Sequence, residues 1–354
     1  MMSYQEGENK MKEKILKKPF NVGLGLLKVW LCYEVVLTHL ADYSVPQAPV
    51  LARLRDYAVP AFMLMTFFFS AHALVDSKTQ WLKKRFVRLV VPFVFWSVFS
   101  FAAFRLLAPF YPALNAPWEM LGWQLLGGTT RQIGSQMWFM VVLIVLTAFF
   151  ACLFRLFKSK YINQILVAVF TFAVIVEYSG LNRWVFEGLR YELCNPLGRI
   201  VSMMPYACIG IFFGLRKERL AAISLPAQWF AVGLALIWAV FMYHFKMFET
   251  PPGFFYRGFH MIAMGLAFCV AAFFLPTSML PGKLVSAIAY ISRFSMGVYF
   301  VHILVGRLFI NLVGDYVGIS GRCFAAANYT FVLSLIVCAL ISLLPWKITK
   351  SLVE

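Results

Sequence analysis

Lys28 and His39 stand in the first apolar stretch of the chain, Val22 to Ala41. In an α-helix, a side chain eleven residues later points within about 20° of the same direction and lies about 16 Å further along the helix axis. Both side chains are therefore predicted on one face of one helix. An ionisable group buried in a membrane costs several kcal/mol unless it is paired or lines a wet cavity. We therefore predict a functional site on the helix face that carries Lys28 and His39.

Imidazole titrates near neutral pH, so His39 can take a proton from a hydroxyl group and return it to a leaving group. Asp42 follows three residues later and can orient the ring, as the carboxylate of a catalytic triad does. The alternative for Asp42 is a solvated acid in a loop. We interpret His39 and Asp42 as the candidate catalytic residues.

Arg85 and Arg88 lie three residues apart in the sequence KKRFVRLVVPFVFWS. They are predicted to share a helix face at the membrane boundary. Guanidinium groups bind phosphate oxygens in a bidentate manner, which predicts a phosphate-bearing ligand from the cytoplasm. The alternative is a basic cluster that contacts lipid headgroups.

Arg257 and His260 share a face at the start of a later apolar segment. They either line an outer mouth that binds a polar acceptor or form a structural pair. Glu34 is expected to pair with a basic residue of another helix. His302 follows Tyr299 by three residues, and we interpret it as a hydrogen-bonding histidine between packed helices.

The composition places these residues in a membrane protein. Hydrophobic residues make up 62% of the 354 residues and charged residues only 13%, with a mean hydropathy of +0.77. Lys and Arg outnumber Asp and Glu by 32 to 15, which the positive-inside rule explains without a nucleic-acid partner. The seven cysteines are scattered in apolar runs, so they predict neither a disulfide framework nor a metal site.

The sequence predicts an all-α polytopic membrane protein with about ten transmembrane helices and both termini in the cytoplasm, because basic residues concentrate in alternate connections. A cytoplasmic tail is predicted over 1–20, one membrane domain over 21–345 and a second cytoplasmic tail over 346–354. The predicted spans are 21–41, 58–75, 86–108, 134–154, 162–179, 200–215, 225–244, 257–276, 286–308 and 325–345.

Five features in this order resemble acyltransferase family 3, the multi-spanning membrane acyltransferases of envelope glycans and lipids. The first is the basic residue and histidine of the first span. The others are VPAF at 59–62, RFVRLVVPFVFW at 85–96, SQMWFMVVL at 135–143 and YISRFSMGVYFVHILV at 290–305.

The resemblance implies that His39 is essential for acyl transfer and that Lys28, Arg85 and Arg88 are functional, as residues that bind the donor. It implies acetyl-CoA or another short acyl-CoA as the donor substrate, with no metal. The implied acceptor is a polysaccharide or a lipid-linked sugar at the cell inner membrane, where envelope-glycan synthesis proteins are possible partners. The chain has Lys28 where the family often has arginine, and Thr66 with Phe67 where the family has a Ser-Gly pair.

Two other classes of function fit the same residues. A transporter or flippase of a glycan or lipid-linked sugar would also line its path with intramembrane charges. A membrane scaffold of a polysaccharide synthesis complex would need the helices and not His39.

Overall fold

The computed structural model describes most of the chain. The described residues are 21–40, 57–76, 79–112, 117–126, 136–157, 159–179, 181, 191–244, 259–276, 280–319, 323–345 and 352–353. The predicted tail 1–20 lies outside them.

Every regular element of the described residues is helical, and these residues contain no strand. Two short 3₁₀ turns, Ser159–Tyr161 and Gly314–Val317, connect longer helices. The α-helices are α1 (Val22–Leu40), α2 (Ala58–Val75), α3 (Thr79–Leu107), α4 (Trp118–Leu125), α5 (Trp138–Leu156), α6 (Ile162–Tyr178), α7 (Tyr191–Gly214), α8 (Lys217–Ala221), α9 (Leu225–His244), α10 (Phe259–Phe274), α11 (Gly282–Arg293), α12 (Ser295–Leu312) and α13 (Phe324–Leu343).

Six of the described helices are long and apolar enough to cross a membrane, namely α1, α2, α3, α5, α12 and α13. Apolar stretches in α6, α7, α9 and α10 are shorter. Uninterrupted apolar sequence favours helix here because only a helix satisfies its own backbone groups in hydrocarbon. The prediction of an all-α membrane protein is confirmed, whereas the count of ten spans and the cytoplasmic termini stay predictions.

The structure divides the ninth predicted span, 286–308, into α11 and α12. The break falls at Phe294, whose N–H donates to the carbonyl of Ile291 over 3.0 Å, as in a tight 3₁₀ turn. Phe294 is buried, with 1% of its surface exposed. Hydropathy does not reveal this break, because the turn residue is as apolar as its neighbours.

α1 packs against five other helices of the bundle, namely α2, α10, α11, α12 and α13. The packing is close at its start, where a Cβ on Gly23 would lie 2.0 Å from the carbonyl oxygen of Ala272 in α10. The polar residues that α1 carries are therefore surrounded by protein, and not by lipid alone.

α2 and α7 form another close helix pair. A Cβ on Gly210 would lie 2.4 Å from the carbonyl oxygen of Leu64, and one on Gly214 would lie 2.2 Å from that of Phe68. Small residues four apart let two membrane helices approach closely. Glycines of α7 thus supply a close approach to α2, which itself carries Thr66 and Phe67 in this region.

Gly210→Ala is expected to lower the free energy of unfolding by about 1–3 kcal/mol, because the added Cβ collides with the α2 backbone. Gly233→Ala is the matched control, since no atom lies within 4 Å of a Cβ there. Gly233→Ala should leave the free energy of unfolding unchanged or slightly higher, because alanine stabilises a helix relative to glycine by about 1 kcal/mol. Thermal unfolding of the purified proteins in detergent measures both, and equal midpoints for the two variants would contradict the packing argument.

Candidate functional site

His39 of α1 lies beside His302 of α12. The centroids of the two imidazole rings are 5.3 Å apart, and the ring planes are inclined by 39°. His302 is fully buried, and His39 is half-buried. Two imidazoles from different helices therefore meet inside the bundle.

The backbone of α12 sets the tautomer of His302. Nδ1 lies 3.0 Å from the carbonyl oxygen of Val298 and 2.8 Å from that of Tyr299. Carbonyl oxygens only accept hydrogen bonds, so Nδ1 carries a proton, and in the neutral imidazole Nε2 then keeps the lone pair. Nε2 is buried without a hydrogen-bond partner in the structure. His302 therefore presents a fixed acceptor inside the site.

α1 and α12 hold the two histidines in register. Cys32 Sγ lies 3.5 Å from the carbonyl oxygen of Ser295, at the first residue of α12. Cys32 precedes His39 by seven residues, and Ser295 precedes His302 by seven. The two helices therefore run side by side in the same direction between these two contacts.

The segment before α5 forms a wall of the site. The Tyr299 hydroxyl donates to the backbone carbonyl of Gln136, and the Tyr299 ring lies 5.6 Å from that of Phe139. Gln136 Nε2 in turn donates to the carbonyl of Phe300 over 3.4 Å. Motif residues far apart in sequence thus pack together beside the histidine pair.

Lys28 is half-buried, and its ammonium lies 5.4 Å from the centroid of the Phe69 ring on α2. This is a cation–π contact. Glu34 is fully buried, and neither of its carboxylate oxygens has a hydrogen-bond partner in the structure. Lys28 therefore does not hydrogen-bond the buried carboxylate of its own helix.

Arg85 and Arg88 differ in their surroundings. The Arg85 guanidinium lies 5.5 Å from the centroid of the Trp81 ring, and its Nε and Nη2 are buried without hydrogen-bond partners in the structure. Arg88 is exposed. Donors that are buried without acceptors suit an anionic ligand that brings oxygen atoms. Arg85 is thus the better placed of the two to bind an anion.

The structure does not describe the side chains of three predicted site residues. Asp42 and Arg257 lie in 41–56 and 245–258, which are not among the described residues. His260 is in α10, but its side chain is not described. Their roles stay predictions. Among the described residues, no three His, Cys, Asp or Glu side chains come together as a metal site requires.

The sequence did not identify His302 as a partner of His39. The spacing of Tyr299 and His302 places them on one helix face, but it does not reveal which helix that face meets. The interpretation of His302 as a hydrogen-bonding residue holds for Nδ1 alone.

The helical bundle, the six membrane-length helices and the interior histidine pair define an integral membrane protein with a buried polar site. The family model described as an acyltransferase domain matches residues 21–347, and the chain belongs to this family, acyltransferase family 3. Neither curated proteins nor solved structures give a significant match. The protein is therefore a membrane acyltransferase.

His302→Asn is expected to lower kcat for acyl transfer by about tenfold to a hundredfold, because the variant keeps an N–H donor but loses the imidazole ring, and with it Nε2, next to the His39 ring. The melting temperature and the KM for the donor should stay near those of the natural protein. His302→Ala should lower both kcat and the melting temperature, since it also removes the contacts to the α12 carbonyls. Full kcat in the asparagine variant would contradict a positioning role for His302.

Proposed function

We propose that this protein is a membrane-bound O-acyltransferase. It moves an acyl group, in the first instance acetyl, from cytoplasmic acyl-CoA to a hydroxyl of a cell-envelope polysaccharide or lipid-linked glycan at the inner membrane. Membership of the acyltransferase family supports the reaction class. The observation that carries the proposal is that the rings of His39 and His302 lie 5.3 Å apart, centroid to centroid, inside the bundle.

In the proposed reaction His39 acts as the general base. It takes the proton of the acceptor hydroxyl while the oxygen attacks the thioester carbonyl, which forms a tetrahedral intermediate. The C–S bond then breaks, an ester forms, and the thiolate of coenzyme A takes the proton back from the imidazolium. The lone pair of His302 Nε2 favours the imidazolium while it exists. Asp42 remains a candidate to orient the His39 ring.

In the same proposal Arg85 binds the phosphates of coenzyme A at one end of the bundle, with Arg88 nearby at the surface. The unpartnered Nε and Nη2 of Arg85 support this role. The pantetheine arm then passes along the face of α1 that carries Lys28 and ends at His39. Lys28 and His39 are eleven residues apart, so they are separated by about 16 Å along the axis of α1. This distance is comparable to the length of an extended pantetheine arm. Arg257 and His260 remain candidates to bind the acceptor.

His39→Ala is expected to lower acyl transfer at least about a hundredfold, which is typical for the loss of a general base. His72→Ala is the matched control, because His72 is exposed near the end of α2. Release of free thiol from acetyl-CoA by the purified protein with host envelope glycan, and mass spectrometry of that glycan, measure transfer. Full transfer by His39→Ala would overturn the base assignment. A natural protein that neither binds nor turns over acetyl-CoA would favour the transporter.

Arg85→Ala is expected to raise the Kd for acetyl-CoA about tenfold or more, since hydrogen bonds to charged groups contribute about 1.5–3 kcal/mol. Lys84→Ala removes a neighbouring exposed charge and should change the Kd little. Arg88→Ala should fall between the two. Calorimetric titration of the detergent-solubilised proteins at one fixed salt concentration compares them. An unchanged Kd in Arg85→Ala would remove Arg85 from the donor site.

A further inference from the structure

Leu352 and Val353 belong to the segment predicted as a cytoplasmic tail, but both are buried within the bundle. Leu352 is 6% exposed and Val353 is fully buried, and both pack in the main hydrophobic core. The indole Nε1 of Trp96 donates to the carbonyl of Leu352 over 2.9 Å, and Trp96 is itself only 3% exposed. The backbone of this segment thus supplies the acceptor for a buried donor of α3.

Gly297 of α12 forms the opposite side of this contact. A Cβ on Gly297 would lie 2.7 Å from the carbonyl oxygen of Val353 and 2.9 Å from its Cα. The same position lies 2.7 Å from Cys338 Sγ of α13. We call this place the Trp96–Gly297 groove. Only glycine leaves room at this point for a chain that passes so close to α12.

The groove lies on the route that the proposed function assigns to the donor. Trp96 follows Arg85 by eleven residues on α3, so the two share a helix face and are separated by about 16 Å. Gly297 lies five residues before His302 on α12, about 7.5 Å lower along the axis and on a different face of the helix. Phe104 of α3 packs with Leu304 of α12, so the two helices run in the same direction and the groove lies between Arg85 and the histidine pair along the bundle. Cys32, which shares the face of α1 that carries Lys28 and His39, contacts Ser295, two residues before Gly297, so the groove lies close to the proposed path of the arm.

The chemistry of the groove suits the pantetheine arm of acyl-CoA. That arm is an extended chain with two amide groups and no large side branches in its central part. A buried indole N–H requires an acceptor. An amide carbonyl of the arm can replace the carbonyl of Leu352 without leaving Trp96 unpaired. A narrow passage beside Gly297 admits a slender chain and excludes bulky groups.

We propose that the Trp96–Gly297 groove is the binding site of the pantetheine arm, with Trp96 as a donor-binding residue, and that Leu352 and Val353 must leave before the donor enters. This inference rests on the proposed function for the identity of the donor. The segment and the donor then compete for one site, so the protein restrains its own donor binding.

Val353→Cys with the native Cys338 tests this competition. A Cβ on Gly297 would lie 2.9 Å from Val353 Cα and 2.7 Å from Cys338 Sγ, so these two atoms are within about 6 Å of each other. Mild oxidation should join the two cysteines, detected as a linked peptide by mass spectrometry. Acetyl-CoA, which has no free thiol to react with the disulfide, should at ten times its Kd slow the crosslinking about tenfold, because it removes the segment from the groove. The crosslinked protein should lose acetyl-CoA binding and regain it on reduction.

Val353→Cys in a Cys338→Ser background is the control, and oxidation should not change its acetyl-CoA binding. Crosslinking at an unchanged rate in saturating acetyl-CoA, or undiminished binding by the crosslinked protein, overturns the inference alone. If the reduced protein binds no acetyl-CoA, the proposed donor and this inference are overturned together.

Hydrogen exchange on the natural protein provides a measurement without substitution. Coenzyme A should increase deuterium uptake at the amides of 352 and 353, since those residues leave a buried position. Equal or lower uptake in the presence of coenzyme A overturns the inference.

Discussion

Polar groups inside a membrane bundle must find partners within the protein, and α1 places several of them at the centre of this one. Burying such a group alone costs several kcal/mol. Cys32 contacts a backbone carbonyl of α12, and at the surface of the bundle Tyr33 donates to Asn328 of α13 over 2.5 Å. His39 meets the ring of His302. The neighbours of α1 are therefore specified by what its polar side chains require as well as by apolar packing.

The groups that remain without partners are as informative as the satisfied ones. The carboxylate of Glu34, two nitrogens of Arg85 and Nε2 of His302 are buried and have no hydrogen-bond partner in the structure. Arg85 and His302 lie on the proposed donor route, at its entrance and at its end. Glu34 has no role in the proposed reaction, and its burial without a partner has no physical explanation in this fold.

The sequence predicted the helices well because hydropathy over about twenty residues reports membrane burial directly. The spacing of Lys28 and His39 puts them on one face of a continuous helix, because a shared face depends only on helical spacing. The sequence does not reveal features that depend on contacts between distant segments. The break at Phe294, the meeting of His39 with His302 and the burial of Val353 each arise from packing that spacing along one helix does not encode.

The turn at Phe294 has a consequence for how this chain can change over evolutionary time. In an unbroken helix, an insertion or deletion of one residue turns every later side chain by about 100°. Because α12 starts afresh at Ser295, such changes in α11 need not rotate Tyr299 or His302. α11 can therefore diverge in length and sequence while the histidine pair keeps its geometry.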